Sequence, residues 1–160
     1  MKYMNTEEFK LTDRYRKIVE NNYLKDNLLF LIVGGSYSYG LDTETSDVDL
    51  RGVFKSTLKD IVVGKEKKTI PVDKETSLFN LTTAIKHFTK QDPCFLQHLF
   101  VPDELVLYRS QEGELLFKNR ELFLSKSVSK TFLGFSSSVI YKLEENELGK
   151  NYLKGSVDYY

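Results

Sequence analysis

The chain holds a single cysteine, Cys94. No disulfide can form within it, and a reducing cytoplasm is the expected setting. Net charge is also missing, since Lys plus Arg and Asp plus Glu each number 23. No overall field advertises nucleic-acid binding, so any such contact has to come from a local patch. The start, MKYMNTEEFK, has no signal-peptide apolar core, and no apolar run is long enough to cross a membrane, so no membrane partner is expected. Histidine is scarce: His87 and His98 are the only two. Each falls in a helical stretch without a Cys or Asp partner at ligand spacing, which reads as packing or surface. Internal repeats and low-complexity segments are absent. What is present is a chain of 160 residues, 41% of them hydrophobic, enough for the core of one domain.

The informative stretch is 33–53, VGGSYSYGLDTETSDVDLRGV. It opens at the end of the apolar run 28–33, which is short, rich in branched residues and closed by Gly34-Gly35. That run reads as a buried strand. The two glycines let the backbone turn sharply and approach a ligand closely. Ser36 stands where a helical turn can start, as its N-cap, with free backbone N–H groups suited to a phosphate. A short helix over 37–40 would stop at Gly40. Asp42 and Glu44 read as solvated loop acids. Then come Asp47, Asp49 and Arg51, which share one face if the segment is extended, while Val48, Leu50 and Val53 are core candidates. Adjacent carboxylates repel unless a cation sits between them, and oxygen ligands at this spacing suit Mg²⁺. Arg51 can pair with the carboxylates, bind a triphosphate or make a plain structural salt bridge.

A glycine turn followed at this distance by Asp-x-Asp resembles the signature of the nucleotidyltransferase superfamily that includes DNA polymerase beta and the kanamycin nucleotidyltransferases. The longer pattern, Gly-Gly-Ser-x-x-Tyr-Gly-Leu and then Ser-Asp-x-Asp-x-Arg-Gly-Val, is similar to the nucleotidyltransferases of bacteria and phages linked to RNA repair. The resemblance runs over about 28–143 and is densest at 34–53 and 75–100. It implies an α/β (α+β) fold, a small mixed β-sheet palm with flanking helices. The palm is expected over 1–109, with a helical C-terminal extension over 110–160. It also implies a third carboxylate on a strand beside the Asp pair. Alignment without gaps puts this on Glu75, with Asp73, two residues earlier, as the other candidate. Two departures stand out: Asp92 replaces an Asn, a neutral exchange of caps, and Gln97 replaces a Glu, so no charge-dependent role is expected there.

The rest of the chain reads as scaffold. A helix is expected over 12–23, with Tyr15, Ile18, Val19 and Tyr23 on one face. A short element is expected over 60–64. The tip at 65–68 carries three lysines and is either solvated or touches an RNA or DNA backbone. An edge strand fits 69–72, since Pro71 removes one ladder donor, and a further strand fits 76–79. A helix from about Asn80 presents Leu81, Ala84, Ile85 and Phe88. Asp92 caps the next one, with Pro93 at its first position, through Phe100. Cys94, in its first turn, reads as a packing residue. A strand or extended link is expected over 104–108 and helices over about 110–119 and from 122 or 125 to 145. In the last helix Val128, Phe132, Phe135, Val139, Ile140 and Leu143 make an apolar stripe for a core or an interface. A loose tail with Gly149 and Gly155 is expected to follow.

The activity implied is transfer of a nucleoside monophosphate from an NTP to a hydroxyl, with release of pyrophosphate. By that resemblance Gly34, Gly35 and Ser36 would hold the phosphates, assisted by Arg51. Asp47, Asp49 and Glu75 would bind two Mg²⁺ ions, with Mn²⁺ as a substitute, and Glu75 would help deprotonate the acceptor. An RNA 3′ end is the favoured acceptor and a protein the alternative. Two other readings stay open: a nucleotide- or partner-binding module without catalysis, and toxin-type nucleotidylation of a protein or tRNA. Oligomeric state is not legible.

Overall fold

Six consecutive apolar residues form β1 (Leu28–Val33), and all six are buried. A strand covered on both faces has no need of alternation, and the computed structural model shows the reason. It describes residues 6–43 and 46–145. Within them a five-stranded mixed sheet has the order β3-β4-β2-β1-β5. The other strands are β2 (Leu50–Phe54), β3 (Thr69–Pro71), β4 (Thr76–Asn80) and β5 (Val106–Arg109). β1 pairs antiparallel with β2 and β5, β4 runs parallel to β2, and β3 closes the far edge, where Pro71 is tolerated.

Two apolar layers sandwich the sheet. On one face Leu31, Val33, Leu50, Phe54 and Leu78 meet Ile18 and Leu24, beneath α1 (Thr6–Lys10) and α2 (Asp13–Val19). On the other face Phe30, Ile32 and Val53 meet Ala84, Phe88, Leu99 and Phe117. These come from α4 (Leu81–Thr89), the 3-10 turn Gln97–Leu99 and its flank, and α6 (Gln111–Lys118). Leu50 and Val53 are thus both core residues, on opposite faces.

Side-chain caps start several helices, and the one expected at Asp92 is among them. The Asn80 side chain caps α4 at Thr82 N–H. Asp92 caps α5 (Pro93–Leu96) at Cys94 N–H, with Pro93 in the first turn. Ser110 caps α6 at Gly113 N–H. Other boundaries moved. The 60–64 element is a helix, α3 (Leu58–Val62), capped by Thr57. The helix expected over 12–23 is α2, capped by the Thr12 side chain and ending already at Val19, and the sequence reading did not include α1 before it. The helix expected to run to Phe100 ends at Leu96 and continues as the 3-10 turn. The last helix, α7 (Val128–Glu145), starts three residues after Ser125. Of its expected stripe, Val128 is half-buried and Phe132, Phe135, Val139 and Ile140 are exposed. Glu44, Gly149 and Gly155 lie outside the described residues, as does the side chain of Leu143. Among the described residues no helix is long and apolar enough to cross a membrane.

Candidate active site

The site grows from the end of β1. Gly34 is buried and extended, and the chain turns at Gly35, whose φ of +61° favours glycine. A 3-10 turn (Gly35–Tyr39) follows and stops at Gly40, also left-handed. Its N-cap is Gly34, not Ser36 as the sequence suggested; Ser36 lies inside the turn, and Ser38 Oγ donates to the Gly35 carbonyl at 2.7 Å. The Gly34 N–H donates to the Asp49 carbonyl at 2.9 Å. Gly34 therefore drops out of the phosphate-binding set as a donor. Its bond instead ties the glycine turn to the acid segment. A Cβ on Gly34 would lie 2.9 Å from Arg51 Cγ, and one on Gly35 would lie 2.1 Å from Asp49 Oδ2. The glycines thus make room for the acid segment's own side chains.

Asp47 and Asp49 precede the first residue of β2, so the strand is shorter than expected. Alternation still holds: Val48 packs with the layer under α1 and α2, which sends Asp49 to the other face with Arg51 and Val53. Asp47 is exposed and Asp49 half-buried. Arg51 Nη2 donates to Asp49 Oδ1 at 3.1 Å, and Arg51 Nη1 donates to the carbonyls of Leu50 and Glu75 at 3.0 and 3.1 Å. The guanidinium is occupied within the protein, bridging the Asp49 side chain and the main chain of the neighbouring strand.

The parallel register pairs Leu50 with Thr76 and Arg51 with Ser77. One step back it sets Asp49 level with Glu75, and the Leu50 N–H donates to the Glu75 carbonyl at 2.9 Å. Leu78 belongs to the α1–α2 layer, so by alternation Glu75 and Ser77 share the face of Asp49. Glu75 is half-buried, with Lys74 Nζ 3.3 Å from its carboxylate. Asp73 goes elsewhere. It accepts the Glu75 N–H at 3.0 Å and a forked pair of bonds from Arg14. Burial pushes its carboxyl up, but Thr76, Arg14 and the Glu75 amide outweigh that and hold it below the usual carboxylate range.

The sequence reading gave three neighbours no part in the site. Arg14 is one. His98 is buried, and burial together with the Arg51 charge lowers it to about 4, so it is a neutral imidazole. Tyr39 Oη donates to Gln97 Oε1, joining the glycine turn to the helical layer. None carries a sequence signal, because each depends on a contact across many residues. His87 corrects the expectation of no acidic partner: its Nδ1 lies 2.8 Å from Asp92 Oδ2, and its ring stacks on Phe95 at 4.0 Å. Cys94 is exposed rather than packed, and desolvation and the nearby Asp92 raise its thiol pKa.

Among the described residues, no three His, Cys, Asp or Glu side chains are gathered closely enough to hold a metal by themselves. Arg51 draws Asp49 and Lys74 draws Glu75. The donor set suits an ion that takes one or two carboxylates and completes its shell with phosphate oxygens and water, as Mg²⁺ does. It does not suit a closed protein cage.

Residues 6–155 match the model of the RNA repair pathway DNA polymerase beta family. No curated protein and no solved structure matches the chain.

Proposed function

The chain belongs to the RNA repair pathway DNA polymerase beta family, and from that premise we propose that it transfers a nucleoside monophosphate from an NTP to a hydroxyl, with an RNA 3′ end as the favoured acceptor. The acceptor oxygen bonds to the α-phosphorus, the bond from that phosphorus to the β-phosphate bridge breaks, pyrophosphate leaves, and the hydroxyl proton is released. The observation that supports this most is the 2.9 Å bond from Gly34 N–H to the Asp49 carbonyl. It sets a turn able to cradle phosphate directly against the acid pair.

In this reading the N–H groups of Gly35 and Ser36 and the Ser36 hydroxyl hold the β- and γ-phosphates. Asp47 and Asp49 hold Mg²⁺, with Mn²⁺ as a substitute, and Glu75 lies on the acceptor side. Mg²⁺ neutralises triphosphate charge and makes the attacking hydroxyl more acidic. Arg51 aims the Asp49 carboxylate through Oδ1. Glu75, level with Asp49, takes the acceptor proton. Lys74 and Arg51 supply the positive charge beside these two acids.

The test is incubation of the purified chain with each α-phosphate-labelled NTP, Mg²⁺ and total RNA or protein. Label on an RNA 3′ end is the expected outcome, lost in Asp47→Asn and Asp49→Asn. Label on protein would change the acceptor but keep the chemistry. Tight NTP binding with no labelled acceptor under any condition would favour a non-catalytic module.

A further inference from the structure

Arg14, on α2, lies on the sheet face away from the proposed acids, yet its guanidinium reaches both acid-bearing segments. Nη1 donates to the Val48 carbonyl at 2.6 Å. Nε and Nη2 donate to the two Asp73 oxygens at 2.9 and 3.1 Å, and Nη2 also donates to Thr76 Oγ1 at 3.0 Å. Asp73 in turn accepts the Glu75 N–H at 3.0 Å. Val48 is the residue between Asp47 and Asp49. One planar cation thus fixes the peptide in the middle of the acid pair and, through Asp73, the amide of Glu75.

The stretch 47–49 precedes β2; besides Arg14 it is held by Gly34 N–H on the Asp49 carbonyl, by Arg51 on Asp49 Oδ1 and by the packing of Val48. The turn at 73–75 likewise precedes β4. The ladder reaches as far as the Leu50 N–H bond to the Glu75 carbonyl, which sets Asp49 level with Glu75; Asp47, Val48 and the turn at 73–74 lie beyond it, where strand pairing no longer holds them. The fork is suited to the task because a guanidinium offers five donors in a rigid plane, which an ammonium does not. Arg14 and Asp73 are only 24% and 32% exposed, so the pair is partly shielded from screening.

We propose that Arg14 is a positioning residue: with Asp73 it clamps the Asp47–Asp49 segment to the Glu75 segment from behind the sheet, and so sets the geometry in which those carboxylates receive a divalent cation. Arg14 touches neither substrate nor metal. The inference rests on the reading of these acids as a Mg²⁺ site.

The test uses the full chain and Mn²⁺ as a spin probe, alone and with a non-hydrolysable NTP. Wild type, Asp49→Asn, Arg14→Gln, Arg14→Lys and Asp73→Asn are titrated by electron paramagnetic resonance, and the urea midpoint of each is recorded. The expected result is that both Arg14 variants and Asp73→Asn bind Mn²⁺ about ten- to a hundredfold more weakly, as for other outer-shell partners of a metal site. NTP affinity measured without metal should stay near wild type. Arg14→Lys keeps the charge but loses the fork, so it should fold and still lose Mn²⁺ affinity, which keeps the question open to test if Arg14→Gln unfolds. A folded Arg14→Lys that binds Mn²⁺ as tightly as wild type, with only its urea midpoint lowered, would overturn the clamp. If Asp49→Asn also binds as wild type, the metal site itself is misassigned, and the clamp falls with it.

Discussion

Single atoms decide what substitutions at this site can report. A side chain at Gly35 meets Asp49 Oδ2 at 2.1 Å and must adopt φ +61°. Gly35→Val therefore damages the acid pair before any phosphate arrives, and loss of NTP binding in that variant would not isolate the cradle. Even Gly35→Ala should lower stability by about 1–3 kcal/mol, read as a drop in melting temperature. Ser36→Ala is the cleaner probe. It should fold as wild type and weaken NTP binding by about 1.5–3 kcal/mol, one hydrogen bond to a charged group, measured by calorimetry. His98 offers a test without any ligand. In the unfolded chain it titrates near 6.5, and in the fold near 4. As pH falls through about 6.5 the unfolded chain takes up a proton that the folded chain refuses. Stability is full above that value, declines over the interval, and levels off below about 4. The loss is on the order of 3 kcal/mol. His98→Leu should flatten the difference in urea midpoint between about pH 7 and about pH 4.5, and a slope equal to that of wild type would refute the assignment.

At the scale of elements, the parallel pair β2–β4 carries the choice of third carboxylate. Its register puts Glu75 level with Asp49, while Asp73 serves the turn and Arg14. Glu75→Gln is expected to abolish transfer while sparing NTP binding. Its stability should barely change, because its counter-ion Lys74 is exposed and such pairs contribute little. An active Glu75→Gln would remove it from the acceptor side. The sequence was informative where one segment suffices to define a feature. The apolar run with its closing glycines, the Asp-x-Asp spacing, and the cap at Asp92 were all legible. It was silent where partners are distant. Arg14 meets Val48 and Asp73 over separations of 34 and 59 residues, and His98 comes under the charge of Arg51 only because the 3-10 turn Gln97–Leu99 folds onto the sheet. Alternation placed Asp49 and Arg51 on one face correctly, although the strand begins only at Leu50. A pleat can persist beyond the last ladder bond, and the boundary itself is set by pairing.

For the molecule as a whole, β1 is the strand on which both layers depend. Its neighbour β5 arrives from the far side of the sequence, and α6 sits directly on β1. Ser110 N–H donates to the Leu29 carbonyl at 2.8 Å, and a Cβ on Gly113 would lie 2.0 Å from that same oxygen. The Phe117 ring meets Phe30 edge-on at 5.2 Å. Remove β5 and α6, and six successive apolar residues gain an unpaired backbone edge, the arrangement that templates intermolecular β-assembly. A chain cut after Leu105 should therefore self-associate, visible as early-eluting or pelleting material, whereas one cut after Leu124 should remain dispersed. While the chain is being synthesised, the same strand needs protection until residues beyond Phe117 have emerged, which makes solubility during synthesis a property of β5 and α6.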